Sequence, residues 1–208
     1  MSETTNKLGH KIGNRGARTR RALVEGLRSL LNHKHLGEIR AADVAQAAQV
    51  SAPTFYTYFK SVEEALLVLC EEAGQDFQGL ASHIHADWSG DRAFDAVRTY
   101  VREVLALWGE HGPVLRVEHM LADKGEPAFA ESRIRRLRRL HLALERRIAQ
   151  ARAGGYHPEG LNPRLTSYET ANLVESVAAG FALMRRADTA EAIIDTTAHI
   201  VVKLTTGR

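Results

Sequence analysis

Residues 51–67 read SAPTFYTYFKSVEEALL and crowd two Tyr, two Phe and two Thr around one proline. Rings at that density normally mark a core, yet Tyr56 and Tyr58 each carry a hydroxyl that a core would have to satisfy. Helical spacing separates the two demands. Thr54, Thr57 and Tyr58 fall at i, i+3 and i+4 on one face, while Phe55 and Phe59 stand four apart on another. The phenyl rings are assigned to packing. The hydroxyls of Thr54, Thr57 and Tyr58, with Tyr56 to one side, are left to bond an outside partner.

The elements that must hold these residues are helices. Leu23, Leu27, Leu30 and Leu31 make one face of a first helix, interrupted by LGEI at 36–39. AADVAQAAQ (41–49) reads as a compact second helix. SAPTFYTYF reads as a third, with Ser51 as its N-cap and Pro53 in the first turn, where a missing N–H costs nothing. Ser61 and Glu64 form an S-x-x-E capping box opening a fourth, whose apolar face runs through Leu66, Leu69, Ala73, Phe77, Leu80 and Ile84. Breaks are expected at SGD (89–91), HGP (111–113), KGEP (124–127), GGYHPEGLNP (154–163) and RRADT (185–189), which implies five more helices. No run of alternating β-branched residues is long enough for a strand. The expected fold is all-α, about nine helices, with a three-helix helix-turn-helix unit over 1–60 and a larger helical domain over 61–208.

Two short helices joined by AQVS, flanked by longer ones, have the arrangement of a helix-turn-helix, which lays its second helix in the DNA major groove. Charge agrees: residues 1–60 hold ten Lys/Arg against four Asp/Glu, whereas the remainder holds eighteen against twenty-one. A basic front end on a slightly acidic body suits a polyanion. Ser51, Ala52, Pro53 and Thr54 then occupy the groove end of the helix. Tyr56, Tyr58 and Lys60 are assigned to phosphates, and Thr54 and Thr57 to base edges or thymine methyls.

ADVAQAAQVSAPTFYTYFKSVEEAL resembles the signature of the tetracycline-repressor (TetR) family of bacterial regulators. Matching positions are Asp43, Val44, Ala45, Ala48, Val50, Ser51, Phe55, Tyr56, Tyr58, Phe59, Ser61, Glu63 or Glu64, and Leu66. The match covers the first third of the chain. Three positions depart from it. Gln49 stands where the family has Gly in the turn, a site favouring positive φ, at a cost of up to about 1 kcal/mol. Arg40 and Ala41 stand where a capping or phosphate-contacting Thr is common, so Arg40 substitutes charge for that contact. Val62 replaces a phosphate-touching Lys, a loss that a basic arm (Lys7, Lys11, Arg15, Arg18, Arg20 and Arg21) would offset by reaching into the minor groove, unless the arm is only a solvated tail.

The resemblance further implies a ligand pocket in the C-terminal helices and a dimer made by the last two. For the dimer, Ala171, Val174, Ala178, Phe181 and Leu183 line one side of 166–186, and Ile193, Thr197, Ile200, Val201 and Leu204 line 190–204. Pocket candidates are Tyr100, Val104, Leu107, Trp108, Leu137, His141 and Glu175, residues that suit a core equally well. Glu118 and His119 interrupt an apolar helix, either at the surface or as polar groups of the pocket. In RIRRLRRLHLALERRIAQAR (133–152), Ile134, Leu137, Leu140, His141, Leu144 and Ile148 form the expected buried stripe. The arginines outside it are a solvated face or a seat for an anionic effector such as an acyl-CoA.

Other classes fit less well. No H-E-x-x-H motif, Cys pair, phosphate loop or nucleophile elbow is present, and His83 and His85 fall on different helix faces, so neither an enzyme nor a metal or cofactor site is expected. Cys70 stands alone. The basic, polar N-terminus has no apolar h-region and no run is long enough to span a bilayer, so no membrane partner and a cytoplasmic location are expected. The expected protein is a homodimeric repressor that binds double-stranded DNA at a palindromic operator and is released by a small-molecule effector, apolar or acyl-CoA-like. A DNA-binding or structural protein without ligand response is the alternative, and leaves the mass of the second domain without a purpose.

Overall fold

The computed structural model describes residues 13–88 and 92–208, and every regular element among them is helical. In order these are α1 (Asn14–Leu31), α2 (Ala41–Ala47), α3 (Ala52–Tyr58), α4 (Val62–Asp76), α5 (Ala81–His85), α6 (Arg92–Asp123), α7 (Pro127–Ala153), α8 (Pro163–Ala179), α9 (Phe181–Met184) and α10 (Ala190–Thr206), with 3₁₀ turns at Leu36–Glu38 and Phe77–Gly79. The chain divides into two compact units. One comprises the described residues up to Ala73 with Pro113–Arg133; the other comprises those of Gly74–Gly112 with Ile134–Arg208.

In the first unit, Leu23, Val24, Leu27 and Leu31 of α1 bury against Val44, Ala45, Phe55 and Phe59, and Leu66, Leu69, Val114 and Phe129 complete the core. Gly26 lets α1 approach α2 closely: a Cβ there would lie 3.2 Å from both the Ala47 Cβ and the Val44 carbonyl oxygen. The Ser61 hydroxyl accepts from the Glu64 N–H at 3.3 Å, one half of the expected box at the start of α4. The other half is displaced by one residue, because the Glu64 carboxylate takes the Lys60 N–H. Glu118, expected either at the surface or in a pocket, is fully buried and accepts a 2.7 Å hydrogen bond from the Ser132 hydroxyl.

In the second unit α8 packs on α10, and both helices begin with a side-chain cap. The Asn162 side chain accepts from the Arg164 and Leu165 N–H groups, and the Thr189 hydroxyl accepts from that of Ala192. Arg147 reaches the end of α5, donating to the Ile84 carbonyl at 2.6 and 3.1 Å and the Ala86 carbonyl at 2.8 Å, with its guanidinium 4.1 Å from the Trp88 ring centroid. Its pKa lies below the usual value because burial disfavours the charge, opposed by Asp87.

Three expectations are corrected. The HGP break does not occur, since α6 runs through Pro113. Proline removes one ladder bond, that to the Gly109 carbonyl, at about 3 kcal/mol. Burying Val114 and Leu115 just beyond it returns roughly 1.5–3 kcal/mol each, so the helix continues. The single helix expected over 166–186 instead divides at Gly180, where a Cβ would stand 3.3 Å from the Ser176 carbonyl, and α9 is a separate turn. In α7, Ile134 is 61% exposed and Arg136 takes the buried position. Arg136 leads Leu140 and Ala143 by four and seven residues on the inner face, while Ile134 turns outward with Arg138 and Leu142.

Replacing Gly26 by Val should lower stability by about 1–3 kcal/mol, because neither the Val44 carbonyl nor the Ala47 methyl can withdraw without moving α2. Urea unfolding of Gly26→Val checks this. An unchanged midpoint would show that α1 and α2 are not held at this spacing.

Candidate nucleic-acid interface

The candidate site is α2, the turn after it and α3. α2 is closed at its start by the Arg40 N–H donating to the Asp43 carboxylate at 2.8 Å. At its end the Gln49 N–H donates to the Gln46 carbonyl (3.0 Å) and the Val50 N–H to the Ala45 carbonyl (2.9 Å), the paired bonds of a Schellman turn. That turn needs a left-handed residue, and Gln49 supplies it at φ 57°, alone among the described non-glycine residues. The sequence expectation for this position holds, and the conformation costs about 1 kcal/mol relative to Gly.

α3 is anchored through its rings. Phe55 and Phe59 are buried with centroids 5.7 Å apart, and the Arg20 guanidinium stands 5.1 Å from the Phe59 centroid. Tyr56 meets the edge of Phe55 yet remains 52% exposed. Thr57 is exposed as well, whereas Thr54 and Tyr58 are only half-exposed, Tyr58 because its ring leans on the core. Ser51 has the extended backbone of an N-cap but does not cap through its side chain. Its hydroxyl pairs with that of Thr54 at 2.8 Å, a correction, since Thr54 lies near enough to take it from the backbone N–H groups.

Basic side chains of this unit stand in solvent. Arg15, Arg18 and Arg21 on α1, Arg40 and Lys60 are exposed, and none of them forms an ion pair among the described residues. Arg28, by contrast, is spent on Glu25 and Glu72, at 3.1 and 2.6 Å. The expected basic arm is corrected in part: Arg15, Arg18, Arg20 and Arg21 belong to helix α1, and Lys7 and Lys11 lie outside the described residues. Pro53 and Ser51 are exposed and Ala52 is half-exposed beside them.

The effector candidates fall in both units. Tyr100, Val104, Trp108, Leu137, His141 and Glu175 belong to the second unit, the first four and Glu175 buried and His141 half-buried, its ring 4.2 Å from that of Tyr168. Glu118 and His119 belong to the first. The residue that sequence reasoning missed is Arg136. Its guanidinium donates to Glu175 at 2.5 Å and stacks 4.6 Å from the Phe77 centroid, both partners almost wholly buried. Burial, then the Glu175 charge, pushes the Tyr100 hydroxyl pKa up, so it stays protonated. Only its offset from Leu140 could have signalled that one arginine of the run points inward.

The dimer candidates are corrected in part. Ala171, Val174, Ala178, Ile193, Thr197 and Val201 are buried inside the chain and have no surface to offer a partner, and Phe181 and Leu204 are half-buried; Leu183, at 68%, and Ile200, at 43%, are exposed. The apolar residues that do face outward on α8, α9 and α10 are Leu165, Tyr168, Leu183, Met184 and Ile200. Asp76, Glu110 and the buried His111 come within 4.8 Å of one another, but the carboxylates are exposed and the His111 Nε2 is bonded to Asp76 at 2.8 Å.

The family model for the tetracyclin repressor-like C-terminal domain matches residues 80–205. This chain belongs to the TetR family. The HTH-type transcriptional regulator EthR of Mycobacterium tuberculosis is 32% identical over 114 residues, 49% of this chain and 51% of EthR, so the chain spans about half the length of the curated relatives it matches. Among solved structures, a TetR-family regulator from Rhodococcus sp. superposes with a TM-score of 0.66 at 18% identity, covering 90% of this chain and 98% of the other. AibR, solved in complex with isovaleryl coenzyme A and operator DNA, gives 0.62 at 16% identity over 91% and 98%. At those identities the likeness is one of fold, and it extends the TetR architecture over both units. No helix among the described residues is long and apolar enough to cross a membrane.

Removing one partner of the buried pair takes from the other the charged hydrogen bond at 2.5 Å while keeping it out of water. Arg136→Ala or Glu175→Ala should each cost about 3–5 kcal/mol, whereas Arg136→Met with Glu175→Leu should come within about 1–2 kcal/mol of the parent. Denaturant midpoints of the three variants check this. Equal losses for the double and single variants would mean that the pair itself is not what the core depends on.

Proposed function

We propose that this TetR-family protein is a cytoplasmic, homodimeric transcriptional repressor, released from a palindromic operator by a small-molecule effector. The observation that carries the reading is the division of labour on α3. The Phe55 ring and that of Phe59 at its C-cap are locked in the core, its Tyr56 and Thr57 side chains stand in solvent, and Lys60 just beyond it is exposed, as are Arg18 and Arg40 of the same unit. Residues 1–60 act as the reading head, and 61–208 sense and dimerise. Tyr56, Tyr58 and Lys60 contact phosphates. Thr54 and Thr57 meet base edges or thymine methyls, and Ser51, Ala52 and Pro53 occupy the groove end of the helix.

Two heads on a palindrome need a two-fold partner. The outward apolar set Leu165, Tyr168, Leu183, Met184 and Ile200 supports pairing through α8, α9 and α10. The effector is apolar or acyl-CoA-like, a class favoured by the coenzyme A thioester bound to AibR and by the exposed Arg135, Arg138, Arg139 and Arg146 of α7, which suit an anionic head. Its binding lowers operator affinity by its differential affinity for the two states, typically about 1–3 kcal/mol.

Mutating the head separates its roles. Tyr56→Phe should weaken binding to the tightest-binding duplex and to a scrambled duplex alike, whereas Thr54→Ala should change the preferred base pair at one position. Competition binding reads both, and equal loss on both duplexes for Thr54→Ala would remove it from base reading. Leu183→Glu should turn a dimer into a monomer in sedimentation without unfolding it, since Leu183 is 68% exposed. A dimer that persists would place the interface elsewhere.

A further inference from the structure

We infer that Gln49 is itself a DNA-contacting residue, its side-chain amide donating to a backbone phosphate beside the groove that α3 enters; the inference rests on the DNA-binding reading above. Gln49 is the described non-glycine residue that holds a positive φ. The two hydrogen bonds that close its turn are made by main-chain atoms, so the turn asks nothing of the side chain and would be better served by glycine. Nor does the side chain repay the strain inside the molecule. It is exposed, and its amide makes no hydrogen bond among the described residues. An exposed side chain with no hydrogen bond of its own, kept where glycine would sit without strain, points to a task outside the chain.

Its place in the fold says which task. When a helix-turn-helix docks, the first helix crosses the phosphate backbone and the second lies in the major groove. The turn joining them is thereby carried along the backbone strand at the groove's edge. Gln49 lies in that turn between exposed Gln46 and Ala47 on one side and exposed Ser51 and Pro53 on the other. The amide NH₂ is a donor of the kind that meets phosphate oxygens, and, being neutral, it displaces no counterion.

The test uses the full chain with Gln49→Gly, which removes amide and strain together, and Gln49→Ala, which removes the amide and keeps the strain. Thermal midpoints and dissociation constants are measured for the tightest-binding duplex and a scrambled one over a series of salt concentrations. Both variants should lose roughly tenfold in affinity on both duplexes with an unchanged salt slope. Their stabilities should diverge, Gln49→Gly melting about 1–3 °C higher than the parent and Gln49→Ala close to it. If Gln49→Gly binds as tightly as the parent or tighter, affinity follows turn strain and the inference is overturned. A loss restricted to one base-pair position would overturn the phosphate assignment. Failure of the parent to bind any duplex is a different result: it removes the DNA-binding reading and this inference with it.

Discussion

The burial of Phe55 and Phe59 is the constraint on which the candidate interface depends. A seven-residue helix has no independent stability in water, because so few hydrogen bonds cannot offset the cost of nucleation. α3 is helical because the Phe55 ring on its inner face and the Phe59 ring at its C-cap enter the core formed by α1, α2 and α4, each contributing roughly 1.5–3 kcal/mol. Fixing that face fixes the rotation of the helix, and with it the direction of every other side chain. Tyr56 and Thr57 are outside because Phe55 and Phe59 are inside. Gly26 matters for the same reason, since the spacing of α1 and α2 decides where the rings can go.

The second unit solves a different problem. Arg136 of α7 and Glu175 of α8 form an ion pair shielded from water, with Phe77 against the guanidinium. Such a pair adds little net stability, because desolvation consumes most of the Coulomb gain, but it is intolerant of half-measures. Only one rotation of α7 against α8 lets both charges meet. That rotation also sends Leu165 and Tyr168 outward on α8 and keeps Ala171, Val174 and Ala178 inside.

Much of this was legible in the sequence. The all-helical class, the elements around residues 40–60 and the positive φ at Gln49 follow from local spacing and turn chemistry, which act over a few residues. The misreadings share another cause. Pro113 reads as a stop because its local penalty is plain, while the burial of Val114 and Leu115 that outweighs it depends on distant parts of the chain. Arg136 was set outside the α7 stripe because charge normally excludes a residue from a core, and its partner lies 39 residues away. Most of the small and branched residues of α8 and α10 fit a dimer by pattern alone. A pattern shows that a face is buried without showing against what, and here that face is covered by the chain's own core.

The central claim, that α2, its turn and α3 read DNA sequence as one half of a symmetric pair, is tested most directly by selection. The purified protein is mixed with a pool of random duplexes, and the bound molecules are recovered and sequenced over several rounds. Enrichment of one palindrome is expected, with half-sites centred about one helical turn, or a whole number of turns, apart. Binding that depends on salt but enriches no sequence would contradict it, leaving the basic surface around α3 as a non-specific contact.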